Sequence, residues 1–262
     1  MTSHAQRLLT AAVLALVLGL LLVAAPPLLM AAALLLVSWV ALYEFWSLFW
    51  KGWTWLKGAG LLLSVFIIWS LPLGWTLGAV IVACFWVLGL IYLGHASKQQ
   101  ALSLTDTGLV LTGLVYIPGS LQFVLHMQRA ELLLVLLAVF TSDTAAYYSG
   151  SLWGQRKLWP RISPKKTWMG SLGGLLSCIL VCLIVGSIWG EAGGLVWMGV
   201  GVILNLAAQA GDLMESAFKR QLGVKDSGWI LPGHGGLLDR IDSLLLAIPV
   251  YMAMRTMYPL FM

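Results

Sequence analysis

The run MGSLGGLLSCILVCLIVGSIW, Met169–Trp189, carries no charged side chain over 21 positions. A helix of that length crosses the roughly 30 Å hydrocarbon core of a bilayer. Gly170, Gly173, Gly174 and Ser177 give it a small-residue face for close packing against another helix. Upstream lies a connection, Ser151 to Thr167, with Arg156, Lys157, Arg161, Lys165 and Lys166 and no acid; downstream lies a second apolar run, Leu195 to Glu215. The same alternation of oily runs and short charged connections fills the chain, which is 60% hydrophobic and 10% charged. A soluble core cannot absorb that composition, and the length leaves no room for a separate aqueous domain. The fold class expected is all-α: one polytopic integral membrane domain over residues 1–262.

Nine membrane helices are expected: Leu8 to Ala25, Leu28 to Phe49, Gly58 to Leu73, Thr76 to Gly94, Thr107 to Leu125, Leu132 to Gly150, Met169 to Trp189, Leu195 to Glu215 and Ile241 to Tyr258. Pro26-Pro27 stands where a small-residue cleavage site would be, so the first run reads as a retained helix rather than a signal peptide. With nine spans, thirteen Lys and Arg residues fall on one side and only Arg129 and Arg255 on the other. The positive-inside rule puts the basic side in the cytoplasm, with the amino terminus. Dropping the short segment Gly58 to Leu73 would set Arg7, Lys51 and Lys57 against the other basic loops. Cys84, Cys178 and Cys182 sit in apolar runs without metal-ligand partners and read as small packing residues. Glu44 reads as an interfacial, water-reaching group, Trp39, Trp46, Trp50, Trp53 and Trp55 as an aromatic belt, and His4, His95 and His126 receive no role.

Chemistry concentrates in residues 141–242. The stretch SAFKRQLGVKDSGWILPGHGGLLDRID, Ser216–Asp242, is the most charged in the chain. Asn205, Gln209, Asp212, Glu215 and Ser216 form a polar stripe on the apolar helix leading into it. Small residues from Gly233 to Gly236 let backbone N–H groups approach an anion, beside Lys219, Arg220, Lys225 and Arg240. Acids that hold a divalent cation next to bases that hold phosphate are what nucleotide phosphoryl chemistry requires. Asp212 and Asp239 are the expected metal ligands, with Asp143 beside them. Asp143 lies within Thr141-Ser142-Asp143-Thr144 in the sixth span, and an ionisable group at membrane depth is a site hypothesis by default. Ser163 is expected to cap the seventh helix and Pro164 to open its first turn, aiming Lys165 and Lys166 at an anion.

The Ser216–Asp242 stretch closely resembles the signature of the phosphatidate cytidylyltransferases, or CDP-diacylglycerol synthases. Ser216, Lys219, Arg220, Lys225, Asp226, His234, Gly235, Gly236, Asp239, Arg240 and Asp242 stand at that family's spacing. Ser163-Pro164-Lys165-Lys166-Thr167-Trp168 resembles a second family motif, which usually continues Trp-Glu-Gly where this chain has Trp168-Met169-Gly170. The resemblance implies a bacterial inner-membrane enzyme, its site facing the cytoplasm, that makes CDP-diacylglycerol and pyrophosphate from CTP and phosphatidic acid with Mg2+. A second metal ion and a homodimer are compatible with the sequence; a nucleic-acid partner is not expected. Catalytic roles fall on Asp143, Lys225, Asp226, His234 and Arg240, and substrate binding on Ser163, Lys165, Lys166, Ser216, Lys219, Arg220, Gly233, Gly235 and Gly236. Two other readings compete: an anion or proton-coupled transporter, disfavoured because the acids cluster at one membrane side without internal repeats, and a related CTP-using lipid enzyme, such as an isoprenoid-alcohol kinase or ether-lipid cytidylyltransferase.

Overall fold

The computed structural model describes residues 3–50, 54–70, 76–96, 103–230 and 235–261. Its helices are α1 (Ser3–Ala24), α2 (Pro27–Phe49), α3 (Trp55–Ser70), α4 (Leu77–Ala96), α5 (Leu104–Tyr116), the single turn α6 (Pro118–Leu121), α7 (Arg129–Trp153), α8 (Trp168–Trp189), α9 (Gly194–Gln221) and α10 (Leu238–Met257). A hairpin of β1 (Lys157–Trp159) and β2 (Ser163–Thr167) joins α7 to α8. In the described residues most of each expected span is helical. Among the described residues, five helical segments are long and apolar enough to cross a membrane: α2, Leu104–His126, α7, α8 and α9. The architecture is thus an all-helical membrane protein with one small hairpin.

The helix ends follow local chemistry. Pro27 opens α2, where its missing N–H would have had no helical partner. Ser103 and Asp106 form a capping box on α5, and Gln128 and Glu131 form one on α7. The expected continuous helix from Thr107 to Leu125 is interrupted at Ile117, because Pro118 cannot donate into the preceding turn; a short helix and a 3-10 turn follow.

The chain divides into two compact units. The first comprises Met1–His126 with Ser227–Leu238. Its core is built on Trp46, fully buried, whose indole Nε1 donates to the Leu109 carbonyl at 3.2 Å. A Cβ on Gly60 or Gly113 would collide with that indole, so the close approach of α3 and α5 to α2 requires glycine at both places. Trp50 Nε1 donates to Asp106 Oδ1 at 2.8 Å. Trp46 is therefore a core residue and Trp50 a helix-to-helix tie, not members of an interfacial belt. Lys57, counted in the sequence only among the bases of one membrane side, is fully buried. Its Nζ donates to Ser47 Oγ at 3.0 Å and to the Trp50 carbonyl at 3.2 Å, closing the end of α2, and sits 4.9 Å from the centre of the Tyr43 ring.

The second unit comprises Met127–Asp226 with Asp239–Met262. Here α8 buries Gly170, Gly174, Cys178, Cys182 and Gly186 while exposing Leu172, Leu176, Leu180, Ile184 and Ile188. Small residues inward and large apolar residues outward is the arrangement of a lipid-facing helix. Gly173 and Gly174 lie against Ser149 and Ser142 of α7, so the expected small-residue face is the α7–α8 seam. At the end of α7 near Arg129, buried Glu131 accepts from Tyr251 Oη at 3.0 Å and pairs with Arg255 Nε at 3.1 Å. Arg255 is thereby a structural tie between α7 and α10.

Candidate active site

The polar stripe on α9 meets α7 and α8 in a hydrogen-bonded chain. Ser171 Oγ donates to Gln209 Oε1 at 2.7 Å, Gln209 Nε2 donates to Asn205 Oδ1, and Asn205 Nδ2 donates to Ser142 Oγ at 2.7 Å. This network satisfies amides that would otherwise be stranded among apolar helices, and it fixes the three helices beside Asp143. One turn further along α9, Asp212 accepts from Ser216 Oγ at 3.2 Å. Ser216 thus orients an acid.

Beyond the network opens a cavity of about 730 Å³ formed within the second unit. Its wall carries five carboxylates, Asp143, Asp212, Asp226, Asp239 and Asp242, and five bases, Lys157, Lys165, Lys166, Lys219 and Arg240. Lys166 Nζ pairs with Asp212 at 2.6 Å, and Lys219 Nζ pairs with Asp239 at 2.6 Å and with Glu215 at 3.3 Å. The carboxylate of Asp143 has no ion pair or hydrogen bond to another described residue and opens onto the cavity. Such a wall neutralises itself when empty yet can re-sort its pairs around a polyanion and a cation.

The bases reach the cavity by a route other than the one expected. Ser163 does not cap a helix and Pro164 does not open one; both lie in β2, in register with β1 through Lys157–Thr167 and Trp159–Ser163. Proline holds its predecessor extended, which suits a short strand as well as a helix start. The cap of α8 is Thr167, whose side-chain oxygen accepts from the Gly170 N–H at 3.1 Å. Lys165 and Lys166 therefore come from a strand. Lys157, left as a topology-setting charge in the sequence reading, is carried to the same wall by β1. Alternating extended residues around Pro164 were the available signal for it.

Of the other expected residues, Ser163, Ser216, Arg220 and Lys225 are not among those lining the cavity. Arg220 donates to the Ile162 carbonyl from Nε at 3.2 Å and to the Val224 carbonyl at 3.3 Å, tying the hairpin turn to the end of α9. Lys225 is exposed beside Asp226. Gly235, at φ +82°, and Gly236 belong to the first unit; Gly233 and His234 lie outside the described residues, as do Lys51, Trp53 and Lys98.

Sequence reasoning mistook Glu44. It is no interfacial group: only 2% exposed, it accepts from the Leu238 N–H at 2.9 Å and from Ser227 Oγ at 3.4 Å, both within the first unit. A single acid in a tryptophan-rich helix end is ambiguous without its partners.

The expected metal pair, Asp212 and Asp239, is held by lysines, and among the described residues no three His, Cys, Asp or Glu groups converge as a metal cage. Magnesium needs no such cage, binding through one or two carboxylates with water and phosphate oxygens completing its shell. The oxygen-only donor set of Asp143, Asp212 and Asp239, all lining the one cavity, fits that requirement.

The sequence profile of the cytidylyltransferase family matches residues 5–258. A phosphatidate cytidylyltransferase of Staphylococcus saprophyticus is 41% identical over 159 residues, covering 58% of this chain and 60% of that protein. One from Staphylococcus aureus strain COL is 42% identical over 159 residues, and one from Staphylococcus epidermidis strain RP62A is 41% identical over 160 residues, each with the same shares. The matched region spans about 60% of the length of these curated relatives.

Proposed function

The chain belongs to the cytidylyltransferase family, and from that premise we propose that it condenses CTP with phosphatidic acid, giving CDP-diacylglycerol and pyrophosphate. The observation that carries this reading is a cavity walled by five carboxylates and five bases beside helices whose outer faces are oily. In the reaction a phosphate oxygen of the lipid forms a bond to the α-phosphorus of CTP. The bond from that phosphorus to the bridging oxygen of the β-phosphate breaks, and its electrons leave with pyrophosphate. Both reactants are anions, so much of the barrier is repulsion, which preorganised cations lower.

In this reading Lys165 and Lys166 hold the lipid phosphate, while Lys219, Lys225 and Arg240 face the triphosphate. Lys157 adds a further cation to the same wall. Asp143, Asp212 and Asp239 would hold Mg2+, which supplies charge neutralisation at phosphate oxygens. Lys166 and Lys219, paired with Asp212 and Asp239, would then be available to phosphate oxygens. Asp226 and His234 are assigned catalytic roles and Gly233, Gly235 and Gly236 substrate binding, with Ser163, Ser216 and Arg220 supporting the cavity of the second unit.

The same proposal covers placement. Residues 1–262 act as one membrane domain crossing nine times, the cavity opening to the cytoplasm of a bacterial inner membrane; a homodimer is compatible with it. Here α1, α3, α4 and α10 complete the spans, although α10 carries Asp239, Arg240, Asp242 and Arg255.

Purified protein incubated with labelled CTP, phosphatidic acid and Mg2+ should release pyrophosphate and yield a labelled CDP-lipid. Absence of both products from well-folded protein would refute the reading.

A further inference from the structure

Among the described residues, Ser227, Gly228, Gly236 and Leu238, the last opening α10, all meet one side chain from far away in sequence, Glu44 of α2. Its Oε2 accepts from the Leu238 N–H at 2.9 Å and from Ser227 Oγ at 3.4 Å. The acceptor thus satisfies a first-turn N–H of α10 and both ends of the loop at once. Two glycines make room for it. A Cβ on Gly228 would lie 2.5 Å from Glu44 Oε1 and 2.8 Å from its Cδ, and a Cβ on Gly236 would lie 2.7 Å from Oε2. Gly236 would also strike Ser227 Oγ. The carboxylate is buried, so water does not offer these donors an equivalent partner. Leu238 is followed at once by Asp239 and Arg240, two groups of the cavity wall.

We propose that Glu44 is a positioning residue: its carboxylate ties Ser227 to Leu238 and fixes the first turn of α10, so that Asp239 and Arg240, the next two residues of that helix, are held in one orientation. This also accounts for Gly228 and Gly236 as glycines required by the close approach of Glu44. The consequence for turnover rests on the proposed cytidylyl transfer; the consequence for the loop does not.

The test combines local amide exchange with kinetics in detergent or nanodiscs, on Glu44→Ala, Glu44→Gln, Gly228→Ala and the Glu44→Ala/Gly228→Ala pair. In Glu44→Ala the Leu238 amide should lose protection by about tenfold or more, as expected for a hydrogen bond to a charged acceptor. The helices of the chain should keep theirs. Turnover should fall by about a hundredfold with KM for CTP and phosphatidic acid little changed, the signature of misplaced rather than missing binding groups. Glu44→Gln keeps an acceptor oxygen and should restore most of both. Gly228→Ala should reproduce the loss when Glu44 is present and add little when it is absent, because the three nearest atoms its Cβ would meet all belong to Glu44. Unchanged Leu238 exchange in Glu44→Ala, or an equal penalty from Gly228→Ala in both backgrounds, would overturn the proposal. Should Glu44→Ala fail to fold, Gly228→Ala alone decides: raised loop exchange with intact helices supports the anchor, and wild-type exchange refutes it. Should the wild-type protein make no CDP-lipid, the exchange arm stands by itself and only the reaction falls.

Discussion

Lys219 is the most constrained cation of the cavity wall. Its ammonium lies 2.6 Å from Asp239 and 3.3 Å from Glu215, whose side chains are 10% and 1% exposed. Removing one partner of a buried ion cluster leaves uncompensated charge, typically a loss of about 3 kcal/mol or more. Lys219→Ala is therefore expected to lower the thermal midpoint clearly as well as activity, whereas Lys165→Ala, on an exposed strand position, should lower activity with little change in stability. Differential scanning fluorimetry beside the transferase assay separates the two. At Asp212, the ion pair with Lys166 and the hydrogen bond from Ser216 fix a carboxylate without burying it. Asp212→Asn should cut turnover by about a hundredfold or more, in the range of lost electrostatic stabilisation, and raise the magnesium concentration needed for half-maximal rate. A magnesium titration that superimposes on wild type would remove Asp212 from the metal site. Lys225→Ala should lower turnover with CTP, and Lys166→Ala should weaken use of phosphatidic acid; varying each substrate against the other tests the division.

The β1–β2 hairpin and the start of α8 decide where the basic side chains go. Thr167 links the two elements: it ends β2, and its Oγ1 caps α8. Gly150, Gly154 and Gly170 all crowd that hydroxyl, so the turn from strand to helix is packed against the end of α7. Thr167→Ala should destabilise the protein by about 1 kcal/mol, the usual worth of a lost cap, while Thr167→Ser should recover most of it. On the seam itself, a Cβ at Gly170 would approach the Ala146 carbonyl to 2.7 Å. Gly170→Val should cost about 1–3 kcal/mol by overpacking and lower the thermal midpoint. The sequence reading recognised the small-residue face of α8 because four small residues share one helical side. It misread Ser163-Pro164 because a serine before proline suits a helix cap and a strand equally. Pairing with Lys157–Trp159, a non-local event, chooses between them.

For the molecule as a whole, the charge asymmetry makes a sided prediction. Single cysteines at Arg161, in the hairpin turn, and at Glu191, beyond the far end of α8, lie across one apolar helix. Membrane-impermeant maleimide should label the first only from the cytoplasmic face and the second only from outside; the reverse pattern would invert the proposed topology. Composition and periodicity were enough to identify the oily helices, because a bilayer forces about 20 apolar residues into each span and leaves charge at the ends. The stripe Asn205–Gln209–Asp212–Glu215–Ser216 was likewise legible, since helical spacing alone puts those residues on one face. What sequence could not supply was the identity of each group's partner. Lys57 and Glu44 look like interfacial charges in any window of neighbours, yet both are buried, with partners that only folding brings close. For Lys57 these are Ser47, Trp50 and Tyr43; for Glu44, a loop more than 180 positions away. Local patterns follow from residue spacing and so are written in the chain. Whether a charge faces water, a phosphate or the N–H of a distant helix depends on which surfaces come together, and that the tertiary structure alone decides.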